Sequence, residues 1–233
     1  MRVTVLSHRE IAHELGHLEP WLDDLTGGDI TRIMREDGLP ASIDADLLVV
    51  LGSPGSVATG HCRPPAEAEI ALVREWVRTD RPYLGICFGA QVLACALGGH
   101  VERRPQAYRA YETIPLNDGA PASLAGPWAL WHRDAIVRPA DAEPLSSMPH
   151  ADIAFRAGRA WGLQPHIEVS SESFRRMLDA LGVAPDESAP ILAQMRDDEA
   201  SSHPPAERVR ALLDDFTRHA LADGVLAAGG DVR

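Results

Sequence analysis

A chain of 233 residues has room for one large domain or two small ones, and its 45% hydrophobic and 24% charged residues are typical of a folded globular protein. The formal net charge of −12 repels phosphate, so neither nucleic acid nor a membrane is expected as a partner. All 22 basic residues are arginine, which excludes a lysine acting as Schiff base, phosphate clamp or catalytic base. We expect a cytoplasmic protein, because the chain shows no signal peptide, no run near the roughly 20 apolar residues of a membrane helix and no C-x-x-C pair.

The first hundred residues alternate apolar strands with amphipathic helices. Residues 47–51 are apolar throughout, which is typical of a strand buried on both faces. Alternation of this kind predicts a parallel sheet with helices packed against it. In chain order, the predicted strands are 3–6, 30–34, 47–51 and 83–86, and the predicted helices are 18–25, 66–79 and 88–97.

The pattern changes after residue 100, where Pro and Gly cut the chain into short alternating pieces. We expect antiparallel strands at one side of the sheet over 111–116, 129–131, 153–156 and 160–163. Helical spacing returns over 174–181, 191–196 and 206–222, punctuated by Pro185, Pro190 and the pair Pro204-Pro205. These features predict a single domain over 1–233, with C-terminal helices from about 171 to 223.

The segment 85–89, G-I-C-F-G, follows a buried strand and opens a helix. G-x-C-x-G at such a junction is typical of a nucleophile elbow, whose central residue has a strained backbone and whose neighbours two positions away must lack side chains. A helix N-terminus favours thiolate over thiol, and the N–H of Phe88 points where an oxyanion would form. We therefore predict that Cys87 is a nucleophile, whereas Cys62 and Cys95 are expected to be ordinary structural cysteines.

A thiolate that performs acyl chemistry needs a base and a group that orients the base. His166 and Glu168 project from the same face of an extended chain, because side chains two positions apart share a face. The carboxylate of Glu168 can hold the imidazole of His166 through Nδ1 and leave Nε2 facing a thiol. Taken alone, the pair is also compatible with a solvated pair at a strand edge.

The loop 52–56, G-S-P-G-S, follows the central apolar strand. The carboxyl ends of neighbouring parallel strands meet at one edge of a sheet, where ligands bind. The loop, with Ser53 and Gly55, can therefore bring a second backbone N–H to an oxyanion. A plain Pro-Gly turn is the alternative interpretation of this segment.

Together these segments resemble the class I glutamine amidotransferase family, and most closely its stand-alone, GMP synthase-like group, from the first strand to about residue 180. The family's elbow reads G-[IV]-C-x-G-x-Q and is matched by residues 85–91. Its triad strand reads G-x-Q-x-H-P-E and is matched by 162–168, with Ile167 in place of Pro. The resemblance implies that Cys87 is the nucleophile, His166 the base and Glu168 the residue that orients the base.

The resemblance also implies a fold and a substrate site. The fold is a flavodoxin-like three-layer α/β fold, with a mostly parallel central sheet flanked by helices and a small antiparallel extension. Gln91 would contact bound glutamine, and the main-chain N–H groups of Ser53 and Phe88 would stabilise the oxyanion. No cofactor or metal is implied.

A segment W-H-R-D at 131–134 resembles the family's H-x-D segment, whose backbone helps to hold the α-amino and α-carboxylate groups of the substrate. It adds His132, Arg133 and Asp134 to the candidate substrate site. We expect His132 to be structural, and Arg133 to meet a carboxylate of the substrate or of a partner. The group's E-x-G-W motif is replaced here by 108–111, Y-R-A-Y, which we place near the rim of the pocket.

A competing motif is H-E-x-x-H at 13–17, which is typical of a zinc-peptidase helix. That interpretation needs a stable helix and a third ligand, for which His8 is a candidate. Gly16 weakens a helix by about 1 kcal/mol, and Pro20 follows closely. We expect a polar loop over the active-site edge rather than a metal site.

The sequence therefore predicts hydrolysis of the γ-carboxamide of L-glutamine through a Cys87 thioester, with ammonia passed to a separate synthetase. One alternative is a stand-alone γ-glutamyl hydrolase that cleaves other γ-glutamyl amides or peptides. The other is a catalytically silent binding or regulatory domain, which an intact Cys-His-Glu set disfavours. An α/β-hydrolase fold is disfavoured because its acid precedes the histidine, whereas Glu168 follows His166.

Overall fold

A mostly parallel sheet forms the centre of the structure, a computed structural model that describes residues 1–9, 11, 13–58 and 65–221. Its seven strands lie in the order β2-β1-β3-β4-β9-β8-β7. The first five of these are parallel to one another. They are β2 (Ile30–Met34), β1 (Val3–Ser7), β3 (Leu47–Val50), β4 (Tyr83–Ile86) and β9 (Ala160–Leu163).

Helices cover both faces of this sheet. One face packs against α1 (Glu19–Thr26) and α6 (Pro205–Ala220) through an apolar cluster that includes Trp21 and Phe216. The other packs against α2 (Pro65–Arg78) and α3 (Phe88–Ala96) through Val73 and Leu93. Along β3, Leu47 and Val49 join the first cluster while Leu48 and Val50 join the second, as a strand buried on both faces requires. The expected three-layer α/β fold is confirmed.

The antiparallel region after residue 100 is larger than the sequence suggested, and its strands are arranged differently. β8 (Ala151–Ala157) and β7 (Glu143–Met148) extend the sheet antiparallel at one edge, as expected in outline, whereas β9 pairs parallel with β4. A separate ribbon forms from β5 (His100–Thr113) and β6 (Pro127–Val137). The expectation of short strands in this region underestimated the ribbon, because Arg and Pro residues interrupt the alternation of polar and apolar side chains along β5.

The remaining helices are α4 (Ser171–Ala180) and α5 (Pro185–Glu199). Pro185 and Pro205 begin α5 and α6, where a missing N–H costs nothing. Pro190, expected between helices, instead lies inside α5 near its start. The end of the predicted last helix, at 222, lies outside the described residues, as does Cys62. Within the described part of the chain, no helix has both the length and the apolar character needed to cross a membrane.

Candidate active site

Cys87 occupies the sharp turn between β4 and α3. Its backbone angles, φ +51° and ψ −106°, lie in a region that residues other than glycine rarely adopt, and the residue caps the start of the helix. A Cβ on Gly85 would lie 2.6 Å from the backbone of Gly89, and a Cβ on Gly89 would lie 2.1 Å from the carbonyl oxygen of Val50. The two glycines are therefore required by close approach of the backbone, as the elbow pattern predicts.

We expect Gly89→Ala to lower the free energy of unfolding by about 3 kcal/mol, because the new methyl group meets the backbone of a central strand that cannot move away. Urea unfolding followed by circular dichroism measures the change. Gly182→Ala is the matched control: Gly182 has a φ of +69° but open space around its Cα, so only the cost of the backbone conformation, about 1 kcal/mol, is expected. Equal losses in the two variants would contradict the steric argument.

His166 lies just after β9, the strand that pairs with β4 and therefore lies beside the elbow. Its Nδ1 lies 2.7 Å from Oε1 of Glu168, and both side chains are buried. The N–H of His166 donates to the carbonyl of Ala129 in β6, which fixes the backbone on the ribbon side. The N–H of Cys87 donates to the carbonyl of Leu163, the last residue of β9, at 2.8 Å. The predicted nucleophile and the predicted base are thus held by adjacent strands.

The electrostatics of this pair favour a charged imidazole. Burial lowers the pKa of His166, but the negative charge of Glu168 and the interaction with Cys87 more than offset this, so the pKa lies well above its usual value. Because Nδ1 donates to the carboxylate, Nε2 is the nitrogen available to exchange a proton with the thiol.

A cleft of about 180 Å³ opens over Cys87. Two of the residues predicted from the sequence, Glu168 and Phe88, do not line this cleft. Glu168 lies behind His166. Phe88 follows Cys87 as the first residue of α3, where a backbone N–H has no partner within the helix. The other eight predicted residues line the cleft: Ser53, Gly55, Cys87, Gln91, His132, Arg133, Asp134 and His166.

The polar groups of the H-x-D segment mostly bind other protein groups. The carboxylate of Asp134 accepts hydrogen bonds from Ser56 and, at 3.2 Å, from Arg103. Its carbonyl oxygen accepts from Nε2 of Gln91 at 3.2 Å and lies 3.0 Å from Nδ1 of His132. Asp134 therefore links the loop after β3, the helix α3 and strand β5 of the ribbon through hydrogen bonds.

His132 is neutral in this arrangement. Burial lowers its pKa to about 4, and its ring lies 5.5 Å from that of His150, with which it stacks. Neutral Nδ1 must then carry the proton that it donates to the carbonyl of Asp134. His132 thus binds the backbone of its own segment.

The ribbon contributes to the rim differently from the expectation. Residues 108–111 do not line the cleft; the residues of β5 that line it are Arg103 and Ala107, and Ala107 lies in an irregularity of the ribbon between Arg103 and Tyr108. Tyr108 instead stacks on His150, with ring centroids 4.0 Å apart. The side chain of Arg133, at the rim, donates to the carbonyl oxygens of Arg104 and Pro105, at 3.0 and 2.7 Å.

The H-E-x-x-H segment forms a loop and a 3-10 turn rather than an α-helix. Glu14 accepts two hydrogen bonds from Arg176 in α4, and Nδ1 of His8 lies 2.9 Å from Glu36. The N–H of His17 donates to the carbonyl of Glu168 at 2.9 Å, so the loop packs on the predicted triad acid. No three potential ligands among the described residues lie close enough together to hold a metal ion.

Sequence reasoning missed several residues of the site. The cleft is also lined by Ile11, Pro54, Arg103, Ala107, Trp131, Met177 and Leu181. It further missed a buried ion pair between Arg35 and Glu69 beneath the loop after β3. A signal for this pair was present, because Glu69 shares the buried face of α2 with Ala66, Val73 and Trp76, and a carboxylate at such a position needs a partner.

The family model "Glutamine amidotransferase class-I" matches residues 24–181. A subunit of the glutamine-hydrolyzing GMP synthase of Halobacterium salinarum is 36% identical over 103 residues, which are 42% of this chain and 50% of that protein. A glutamine amidotransferase-like protein of Salmonella typhimurium is 27% identical over 197 residues, covering 76% of this chain and 80% of that protein. The chain thus spans about half the length of the halobacterial relative.

Solved structures share the fold. A glutamine amidotransferase from Thermotoga maritima aligns with a TM-score of 0.76 at 23% identity, covering 93% of this chain and 97% of that one. A glutamine amidotransferase from Methylobacillus flagellatus aligns with a TM-score of 0.71 at 23% identity, covering 96% and 94%.

These matches define the class of protein: a class I amidotransferase fold with a cysteine at its elbow. The chain belongs to the glutamine amidotransferase class-I family, which confirms the resemblance found in the sequence.

Proposed function

We propose that the chain hydrolyses the γ-carboxamide of L-glutamine through a γ-glutamyl thioester on Cys87. The observation that carries the proposal is the pair of His166 and Glu168, with 2.7 Å between Nδ1 and Oε1, held beside a cysteine at a strained helix start. The released ammonia passes to a synthetase on a separate polypeptide. This second part is supported by the name of the halobacterial relative, which describes one subunit of a glutamine-hydrolysing GMP synthase.

The first half of the reaction forms the thioester. The Cys87 thiolate attacks the carboxamide carbon, and the electron pair of the C=O bond moves onto oxygen, which the N–H groups of Ser53 and Phe88 stabilise. As the tetrahedral intermediate collapses, the C–N bond breaks and His166, protonated at Nε2, gives its proton to the leaving nitrogen. Ammonia leaves, and Glu168 holds the imidazole in place throughout.

The second half hydrolyses the thioester. Neutral His166 takes a proton from water, whose oxygen attacks the γ-carbonyl carbon in the same oxyanion hole. The C–S bond breaks, glutamate leaves and the thiolate–imidazolium pair is restored. The cleft, about 180 Å³, has room for a substrate of amino-acid size such as glutamine.

Arg133 is proposed to meet the α-carboxylate of the substrate. Two of its nitrogens are bound to carbonyl oxygens of the ribbon, so the side chain is held at the rim of the cleft, and its Nη1 has no hydrogen-bond partner among the described residues. We expect Arg133→Met to raise KM for glutamine about tenfold, the scale of one charge-assisted hydrogen bond, with kcat nearly unchanged. Steady-state kinetics test this; a fall in kcat alone, at constant KM, would assign Arg133 a different role.

The proposal is tested by release of ammonia and glutamate from L-glutamine by the purified chain, with a γ-glutamyl dipeptide assayed in parallel. Turnover of glutamine in preference to the dipeptide is the expected result. Preference for the dipeptide would favour the stand-alone γ-glutamyl hydrolase. Neither turnover nor covalent labelling of Cys87 by a γ-glutamyl chloroketone would overturn the enzymatic proposal.

A further inference from the structure

Beneath the loop after β3 lies a buried ion pair. Arg35, in the 3-10 turn that follows β2, donates from Nε and Nη2 to the two carboxylate oxygens of Glu69 in α2, both at 2.9 Å. The side chains of Arg35 and Glu69 are 7% and 1% exposed. Burial of two charges is costly in free energy, and an apolar pair of similar volume often serves stability as well. This suggests that the pair has a task other than stability.

The guanidinium of Arg35 also binds the backbone that leads into the predicted oxyanion loop. Nη2 donates to the carbonyl of Leu51 at 2.9 Å, and Nη1 donates to the carbonyl of Gly52 at 3.1 Å. A trans peptide is planar, with its C=O and N–H pointing in opposite directions. When the carbonyl of Gly52 points at Arg35, the N–H of Ser53 in the same peptide must point away from it. Ser53 lies at the wall of the cleft that holds Cys87.

Arg35 reaches the second oxyanion donor as well. Its guanidinium carbon lies 5.1 Å from the centre of the ring of Phe88, a cation–π distance, and Phe88 carries the other predicted N–H. One buried cation thus contacts both halves of the predicted oxyanion hole, with Glu69 fixing its position.

We propose that Arg35 and Glu69 are positioning residues that set the direction of the Ser53 N–H and the place of Phe88, and so form the oxyanion hole. The inference rests on the proposed acyl chemistry at Cys87. Hydrogen bonding of a cation to the Gly52 carbonyl also polarises that peptide, which makes the Ser53 N–H a stronger donor to an oxyanion.

The test compares two reactions of Cys87. Hydrolysis of glutamine begins with addition to a carbonyl, which needs an oxyanion hole. A γ-glutamyl chloroketone alkylates the thiolate with loss of chloride, and this labelling is fast only when the ketone oxygen is bound in the same oxyanion hole. Alkylation by iodoacetamide is a direct displacement at carbon and needs only the thiolate. A defect in the oxyanion hole therefore slows the first two reactions and spares the third.

The main variant is the double substitution Arg35→Met with Glu69→Leu, which replaces the ion pair by an apolar pair and leaves no buried charge unpaired. We expect its kcat/KM for glutamine and its chloroketone labelling to fall about 100-fold, the scale of one lost oxyanion donor, mainly through kcat. The rate of alkylation of Cys87 by iodoacetamide, with the site located by peptide mass spectrometry, should stay within threefold of the wild-type rate. The thermal midpoint of unfolding should stay within a few degrees of the wild-type value. Arg35→Lys, which keeps a donor and the charge, should recover part of the loss.

The matched control is Arg156→Met with Glu143→Leu. That pair has the same two-pronged geometry, at 2.6 and 2.8 Å, but joins β8 to β7 at the sheet edge. It should leave both carbonyl reactions unchanged. The proposal is overturned if the Arg35 double variant keeps kcat/KM within threefold of wild type, or if it loses iodoacetamide alkylation in parallel, which would indicate a collapsed site. A wild-type chain that is labelled by the chloroketone but hydrolyses no glutamine would overturn the proposed function, while labelling still decides the role of Arg35.

Discussion

Replacement of Cys87 by alanine is expected to lower glutamine hydrolysis by about 10⁶-fold, the scale observed when the nucleophile of a triad enzyme is removed. Without a thiolate no thioester can form, and the oxyanion donors and His166 have no covalent intermediate on which to act. Ammonia release from L-glutamine, measured over hours with the purified variant, checks the prediction. The fold should be retained, because alanine lacks only the Sγ of a side chain at the start of α3.

Cys95→Ala provides the control on the same helix. Cys95 is half-buried, and burial raises the pKa of its thiol, so it should be unreactive at neutral pH. The variant should hydrolyse glutamine at the wild-type rate. Substantial turnover by the Cys87 variant, or loss of turnover in the Cys95 variant, would place the nucleophile elsewhere.

Replacement of Glu168 by glutamine is expected to lower kcat/KM by about 10³- to 10⁴-fold, because an amide neither holds the imidazole in the required tautomer nor stabilises its charge. The pH profile should change as well. The carboxylate raises the pKa of His166, so its removal lowers that pKa. The alkaline limb of the kcat/KM profile, where His166 loses the proton it gives to ammonia, should therefore move to lower pH by about one to three units.

Glu172→Gln is the control for this prediction, because it removes an exposed carboxylate that pairs with Arg176 on α4 and leaves the site untouched. Its pH profile should match that of the wild type. A Glu168 variant with the wild-type alkaline limb would contradict the coupling between the carboxylate and the imidazole, whatever its rate.

The elbow and the pair of His166 and Glu168 could be predicted from the sequence because their requirements are local. The glycines on either side of Cys87 are dictated by contacts within one turn, and His166 and Glu168 share a face through the alternation of an extended chain. The parallel sheet was likewise readable from continuous apolar runs such as β3.

The supporting contacts could not be predicted because they join segments far apart in the chain. Arg35 meets Glu69 only after α2 has packed on the sheet, and Asp134 meets Ser56 only when the ribbon folds over the loop after β3. The sequence placed Asp134 in the candidate substrate site through the backbone of its segment, but it gave no sign that the carboxylate would bind Ser56 and Arg103. The long ribbon was underestimated for a similar reason, since its polar strand β5 is specified by pairing with β6 rather than by its own pattern.

The parallel pairing of β4 with β9 places the predicted nucleophile and base on neighbouring strands, although the ribbon and two edge strands separate them along the chain. During synthesis, the elbow leaves the ribosome well before the segment that carries His166. Until β9 docks beside β4, Cys87 has no imidazole to share its proton with and no Glu168 to stabilise the charged pair. A nascent or partly folded chain in which β9 has not yet paired with β4 therefore carries a thiol without its proposed activating partner.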